Sequence, residues 1–299
     1  MQIQILSPQN WRDYELIDCG GFEKLERFGK YFLARPEPKA MWDKKLSNEE
    51  WENMVHAYYS LDRNDSDRES TSDRGKWRMK TGMSENWFIS YDQKNVSLKA
   101  KLALTSFGHV GIFPEQAPNW NFIFDSVNEL KNENPRVLNL FAYTGVASLA
   151  ARAAGAEVTH LDSLKQMIGW CRENMEHSGL KDIRWVVEDA MKFVKREVKR
   201  GNKYHGIIMD PPAYGRGPEG EKWILDDGIN ELIELSAKLL HREKNFFVLN
   251  MYSKGFSSVV AHTLLQSHFP KAKIDAGELV LESKTKQNLP LGVFARFTS

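Results

Sequence analysis

The chain of 299 residues carries 41 Lys and Arg against 40 Asp and Glu, a formal net charge of +1. That balance argues against a strongly cationic protein that coats nucleic acid, and leaves room for a local basic patch. Cys19 and Cys171 stand too far apart for a disulfide framework or a zinc spacing, no window approaches 18 apolar residues, and the amino terminus lacks a basic region followed by an apolar run; these features point to a reducing, cytoplasmic compartment without a membrane span.

Residues 1–104 read as a small β-rich domain. Short β-type runs (14–18, 23–27, 31–35, 87–91, 96–103) are separated by turn signals, and the last alternates polar and apolar residues as a half-buried strand does. Ser47-Asn-Glu-Glu-Trp51 supplies an N-cap and early acidic residues for a short helix ending near Tyr59. The polar stretch from Leu61 to Gly75 is expected to be a mobile loop. From 105 onward the pattern changes. A helical segment ends near Lys131, and then strands (136–141, 156–162, 183–188, 205–210, 245–251) alternate with helices (146–155, 163–178, 190–200, 228–241). Such alternation predicts a parallel sheet covered on both faces. Two final runs, 273–281 and 293–297, are expected to close it as an antiparallel hairpin.

The strand ends carry the chemistry. Asn139-Leu-Phe-Ala-Tyr-Thr-Gly145 is a strand running into a turn, and Gly145 is expected to admit a ligand where a Cβ would repel it. Asp162, about 20 positions after the Gly turn, suits both ribose hydroxyls, or else caps the helix starting near Ser163. Asp189 with the Ala190 N–H suits an adenine edge, or caps the next helix. Asp210-Pro-Pro-Ala-Tyr214 presents an acceptor-only carboxylate and rigid carbonyls, the Pro211 carbonyl among them, with Tyr214 placed to stack on a base. The glycines do not form G-x-G-x-x-G, which weakens a nicotinamide or flavin reading. Gly215–Gly220 reads as a flexible lip in which Arg216 is a candidate phosphate contact. The basic run 192–203 reads as a solvated helix face rather than an RNA contact. His109 and His205 lack matching ligands, so no metal is expected.

In their order these segments resemble the class I S-adenosylmethionine-dependent methyltransferases. They are nearest to bacterial base methyltransferases of large-subunit ribosomal RNA, which share Asn-x-Phe-x-Tyr-Thr-Gly and Asp-Pro-Pro-x-Phe/Tyr. The resemblance covers about Ser106 to Ser299 and includes Asp162-Ser163, Asp189 and the lead-in Gly111-Ile-Phe-Pro-Glu-Gln116. It implies a Rossmann-like seven-stranded sheet with the last strand antiparallel, in a domain spanning 105–299, and a role in gripping RNA for residues 1–104. It also implies S-adenosylmethionine held by Phe113, Glu115, Gln116, Asn139, Phe141, Tyr143, Thr144, Gly145, Asp162, Ser163, Asp189, Ala190 and Asp210, with Asp210, Pro211 and Tyr214 at the acceptor base. One departure matters. Relatives that methylate cytosine carbon 5 place a cysteine nucleophile after the fifth strand, where this chain has Asn250-Met-Tyr-Ser253. Carbon 5 needs thiolate activation, so a base nitrogen is the expected acceptor. The alternatives are a cytosine carbon 5, small-molecule or protein methyltransferase, and a non-catalytic RNA-binding factor.

Overall fold

The computed structural model describes residues 2–61, 74–93, 95–252 and 256–299. Most of the loop expected at 61–75, and Ser253, lie outside the described residues.

The chain opens with β1 (Ile3–Leu6). A five-stranded sheet then forms in the order β2 (Tyr14–Gly20), β3 (Glu23–Phe28), β4 (Tyr31–Pro36), β5 (Ala57–Leu61) and β6 (Gly75–Met79). Between β4 and β5 lies α1 (Asn48–Met54), and a separate hairpin follows, β7 (Asn86–Gln93) with β8 (Val96–Ala103). The expected capping box starts α1: Ser47 Oγ accepts from Glu50 N, and Glu50 Oε2 accepts from Ser47 N. The helix does not reach Tyr59. It stops at Met54, and Ala57–Leu61 is a strand pairing with both β4 and β6. Two adjacent tyrosines fit a pleated surface better than a helix, and a waiting sheet edge decides the matter.

After a 3-10 turn at Pro114–Gln116 the α/β region runs α2 (Ala117–Glu129), β9 (Arg136–Leu140), α3 (Val146–Ala153), β10 (Glu157–Asp162), α4 (Lys165–His177), β11 (Ile183–Val187), α5 (Ala190–Arg200) and β12 (Gly206–Met209). A short hairpin of β13 (Tyr214–Arg216) and β14 (Lys222–Ile224) precedes α6 (Leu225–Leu239). Then come β15 (Phe246–Met251), α7 (Ser258–His268), β16 (Asp275–Glu282) and β17 (Asn288–Thr298). The parallel strands fall where their apolar runs predicted. The lip at 215–220 is the turn of the β13–β14 hairpin, and α7 is an addition to the predicted elements.

The sheet order is β1-β16-β17-β15-β12-β9-β10-β11. Seven strands give the expected arrangement, with β17 antiparallel between β16 and β15. The eighth is β1, which leaves the β-rich segment and pairs parallel with β16. Side chains alternate across each strand, so one run of apolar residues serves two cores. Val137, Ile208, Phe246 and Val248 face a core shared with α2, α3, Cys171 of α4 and the β-rich segment. Leu138, Leu140, Ile207, Met209, Phe247 and Leu249 face the other, shared with α5, α6 and α7. Hydrogen bonds also join the two regions: Asn174 Oδ1 accepts from Lys101 N at 2.8 Å, and Trp170 Nε1 donates to the Lys101 carbonyl at 3.0 Å.

The attachment of β1 rests on a missing side chain. A Cβ on Gly277 would lie 1.9 Å from the Gln4 carbonyl oxygen. Gly277→Val is expected to detach β1 and lower the unfolding free energy by about 2 kcal/mol. Urea titration measures the second effect, and limited proteolysis at the amino terminus the first; an unchanged cleavage pattern there would count against it.

Candidate active site

The turn after β9 is held in an unusual backbone state. Phe141, Tyr143 and Gly145 have φ of 56°, 52° and 87°. For the two aromatic residues this left-handed geometry costs roughly 1–2 kcal/mol each, so the surroundings must enforce it. Asp162 does most of this. Its Oδ2 accepts from Tyr143 N at 2.8 Å and its Oδ1 from Leu164 N at 2.9 Å. Burial raises the Asp162 pKa, and these N–H donors oppose the rise. Thr144 Oγ1 donates to the Gly111 carbonyl at 2.6 Å, and Asn174 Nδ2 donates to the Thr144 carbonyl at 3.0 Å. Asn139, buried on β9, donates from Nδ2 to Ser148 Oγ of α3 at 2.9 Å.

Gly145 has a different reason from the expected one. A Cβ there would meet Cys171 Sγ at 1.8 Å and His160 at 3.1 Å. The missing Cβ makes room for Cys171 of α4, and the glycine backbone also lines the cleft described below. Burial drives the Cys171 thiol far up and the Cys19 thiol to about 11, so neither is a thiolate at neutral pH.

The end of β12 carries the second group. Asp210 Oδ2 accepts from Gln116 Nε2 at 2.8 Å, whereas Oδ1 is shut off from solvent without a partner. Burial first, and the Glu115 carboxylate second, lift the Asp210 pKa to about 7. The rigid carbonyls expected of the two prolines are partly committed, because Trp223 Nε1 donates to the Pro212 carbonyl at 2.7 Å. Tyr214, at the start of β13, stands 76% exposed.

Two cavities meet at this edge. The first is a narrow cleft of about 50 Å³ that includes Phe113, Gln116, Asn139, Phe141, Tyr143 and Asp210 in its lining. Thr144 and Gly145 line it too. Asp162, Ser163, Asp189 and Ala190 lie outside it along the neighbouring strand ends. Among the described residues lining it, Asp210 is the one with a full charge. Aromatic rings and a carboxylate without a cationic side chain fit a positively charged ligand. The second cavity, about 460 Å³, opens toward the β-rich segment between Tyr59, Phe107, Phe113, Glu115 and Tyr252. Phe113 and Ile112 wall both. Glu115 therefore faces the second cavity, not the cleft to which it was expected to contribute. It is 3% exposed, and burial raises its pKa to about 7 against the pull of Lys24.

Other residues settle as follows. Asp189 Oδ1 accepts from Lys192 N at 2.9 Å and so caps α5. The β13–β14 hairpin leans on the same spot, since a Cβ on Gly217 would lie 3.1 Å from the Asp189 Cβ. Lys192 pairs with Glu219 at 2.8 Å and with Glu221, and Lys195 with Glu231 at 2.8 Å, so the basic helix face is bound within the protein. His205 stacks on His241 with ring centroids 3.9 Å apart. Among the described residues no group of three or more His, Cys, Asp or Glu is placed to hold a metal, and no helix is long and apolar enough to cross a membrane. Tyr252 is the residue not anticipated. Its hydroxyl is buried without a partner beside Phe113, ring centroids 5.9 Å apart. The available signal was a polar and aromatic pair, Asn250 and Tyr252, closing the fifth strand.

A parallel sheet, an acidic residue after its second strand and an aromatic cleft at the first turn define a Rossmann-like nucleoside-cofactor fold. The family described as Conserved hypothetical protein 95 matches residues 120–223. The crystal structure of the SAM-dependent methyltransferase from Agrobacterium tumefaciens is similar over 99% of this chain and 93% of its own, with 36% identity and a TM-score of 0.89. The chain belongs to the SAM-dependent methyltransferases. The structure of SMU.776, a putative methyltransferase complexed with SAH, matches the fold with a TM-score of 0.71 at 18% identity, over 97% of this chain and 76% of its own. Ribosomal RNA large subunit methyltransferase K/L of Shewanella frigidimarina is 32% identical over 52% of this chain, which spans only 22% of that relative's length.

The packing role of Gly145 can be separated from cofactor binding. Gly145→Ala is expected to destabilise the fold by about 2–3 kcal/mol through the clash and the positive φ. Adding Cys171→Ala should return roughly half. A double-mutant cycle by thermal unfolding checks this, and zero coupling would reject the contact as the cause.

Proposed function

We propose that this chain transfers a methyl group from S-adenosylmethionine to a nitrogen of an RNA base, with large-subunit ribosomal RNA as the target. The observation that carries the reading is the cleft: aromatic walls, no cation, and a single carboxylate with an orphaned oxygen, set beside an aromatic-walled second cavity. The names of the relatives from Shewanella and from Methanocaldococcus jannaschii, a putative large-subunit ribosomal RNA methyltransferase 29% identical over 175 residues, support the choice of substrate.

S-adenosylmethionine, when bound, supplies a methyl group already activated on a sulfonium. The Phe141–Gly145 turn and Gln116 hold the methionine end. Both Asp162 oxygens already accept an N–H, yet each keeps a second lone pair for a ribose hydroxyl. Asp189 and the Ala190 N–H meet adenine. The acceptor ring comes in past Phe113, which walls both cavities, to the Asp210 end of the cleft, and Tyr214, exposed four residues after Asp210, stacks on its outer face. Asp210 Oδ1 accepts the ring N–H, which orients the lone pair and takes up the proton. Residues 1–104 grip the RNA, and residues 105–299 carry the chemistry.

The roles divide in a test. Asp210→Asn is expected to lower transfer to ribosomal RNA about 10³-fold while calorimetry shows S-adenosylhomocysteine, which lacks the sulfonium charge, binding within a few-fold of the parent. Asp162→Ala should instead weaken cofactor binding at least ~10-fold. Equal loss of cofactor binding in both would sink the division. Mass spectrometry of ribosomal RNA nucleosides with and without the gene tests the target, and an unchanged profile would remove it.

The pH dependence has a definite sign. The Asp210 carboxyl sits near 7, above its ordinary value. It must lose its proton to accept another, so the transfer rate should climb through about pH 7 and level off above it. A rate that falls across that interval would contradict Asp210 as the acceptor.

A further inference from the structure

Four side chains from three separate parts of the chain form one hydrogen-bonded line ending on Asp210. Arg296 Nη1, on β17, donates to Asn119 Oδ1 at 2.7 Å. Asn119 Nδ2, on α2, donates to Asn250 Oδ1 at 2.7 Å. Asn250 Nδ2, at the end of β15, donates to Gln116 Oε1 at 2.8 Å. Gln116 Nε2 donates to Asp210 Oδ2 at 2.8 Å. The three amide residues are buried: Asn119 at 0%, Asn250 at 2% and Gln116 at 6% exposure.

A carboxamide is nearly symmetric in shape, so a buried one can turn end for end unless something polarises it. Here something does. A guanidinium has five donors and no acceptor, so Asn119 must present its oxygen to Arg296. Its NH2 then faces Asn250, the Asn250 NH2 faces Gln116, and the Gln116 NH2 faces Asp210. Reversal of any link would set donor against donor or oxygen against oxygen. Arg296 is itself fixed, by a bond to the Pro118 carbonyl at 3.2 Å and by the faces of Phe122 and Phe294 at 4.5 and 4.9 Å. Burial lowers its pKa to about 10, so it stays charged at neutral pH.

We propose that Arg296, Asn119 and Asn250 are positioning residues that lock the Gln116 amide with its NH2 on Asp210, so that Asp210 is held as a carboxylate with Oδ1 free. The catalytic meaning rests on the Asp210 role proposed above; the directional lock itself does not. Without the lock, a protonated Asp210 could donate to a reversed Gln116 oxygen, and the acid form would be stabilised in place of the base. With it, the only hydrogen bond available favours the ionised form. The other groups facing Asp210 are Glu115 from the 3-10 turn, which opposes ionisation, and the Tyr252 hydroxyl beyond β15. The aligned amides act against the Glu115 carboxylate.

The test needs neither RNA nor cofactor. Carboxyl 13C NMR of aspartate-labelled protein follows the Asp210 titration, assigned by its disappearance in Asp210→Asn. The parent should titrate near pH 7. Asn250→Leu cuts the line without adding charge and should raise the midpoint by about one pH unit, a tenfold change in proton affinity. Arg296→Gln replaces the donor-only end with a group that works in either direction and should raise it in the same sense; Arg296→Lys, again donor-only, should leave it within a few tenths. Should Asn250→Leu fail to fold, the Arg296→Gln and Arg296→Lys pair decides. A midpoint that stays at the parental value in Arg296→Gln, or moves equally in Arg296→Lys, overturns the lock. Failure of S-adenosylmethionine to bind the parent protein would instead remove the catalytic reading and leave this titration untouched.

Discussion

A carboxylate taken out of water at a sheet edge is the constraint on which the site depends. Burying an isolated charge is expensive by several kcal/mol even after relaxation, and Asp210 has one donor for two oxygens. The sheet makes this tolerable by topology. β12 lies between β9 and β15, with Met209 in register with Leu140 on one side and Leu249 on the other. One residue further on, Asp210 stands between the strained Phe141 turn and Asn250. The group that most needs support is therefore flanked by the two strand ends able to give it. The same apolar alternation that sorts side chains into two cores delivers all three ends to one edge.

That edge was legible in the sequence because its signals are local. Short strand-forming runs leading into Asp162, Asp189 and Asp210 fix strand ends without tertiary knowledge, and Gly145 marks a turn whatever its reason. What could not be read depends on distance along the chain. The hydrogen bonds that orient Gln116 join residues separated by 94, 134 and 131 positions, with a further 177 to Arg296. Arg296 reads as an ordinary member of a closing strand until β17 is seen to lie against α2. Glu115 shares that difficulty. Its neighbours in sequence line the cleft, but the 3-10 turn rotates its carboxylate into the other cavity. The failure at α1 is of another kind: the capping box was correct, and strand pairing at Ala57–Leu61 overrode helical continuation.

The β-rich segment contributes to the site electrostatically as well as by shape. Glu26, fully buried, takes a fork of bonds from Arg35 at 2.9 and 2.5 Å and a bond from Tyr14 Oη at 2.9 Å. Lys24 pairs with Glu37 at 3.2 Å. Both cations lower the Glu115 pKa, and Glu115 raises that of Asp210. Charges on β3 and β4 thus reach the strand end of β12 through one intermediate carboxyl. A change in the β-rich segment that leaves the cleft intact can still alter the protonation of the residue at its centre.

The same geometry bears on which atom can accept a methyl group. A carbon acceptor in a pyrimidine ring needs a nucleophile to attack the ring first, and a thiolate is the group suited to that. The two cysteines are buried with raised pKa values, and one is pressed against Gly145 on the far side of the turn. The strand end from which a thiol would reach the ring carries Asn250, whose amide is committed at both its oxygen and its nitrogen. A side chain so engaged cannot swing toward a substrate. On the reading proposed above, the nucleophile must then be a lone pair already present in the acceptor. The protein's part reduces to presenting that lone pair and receiving one proton, for which a single oriented carboxylate suffices.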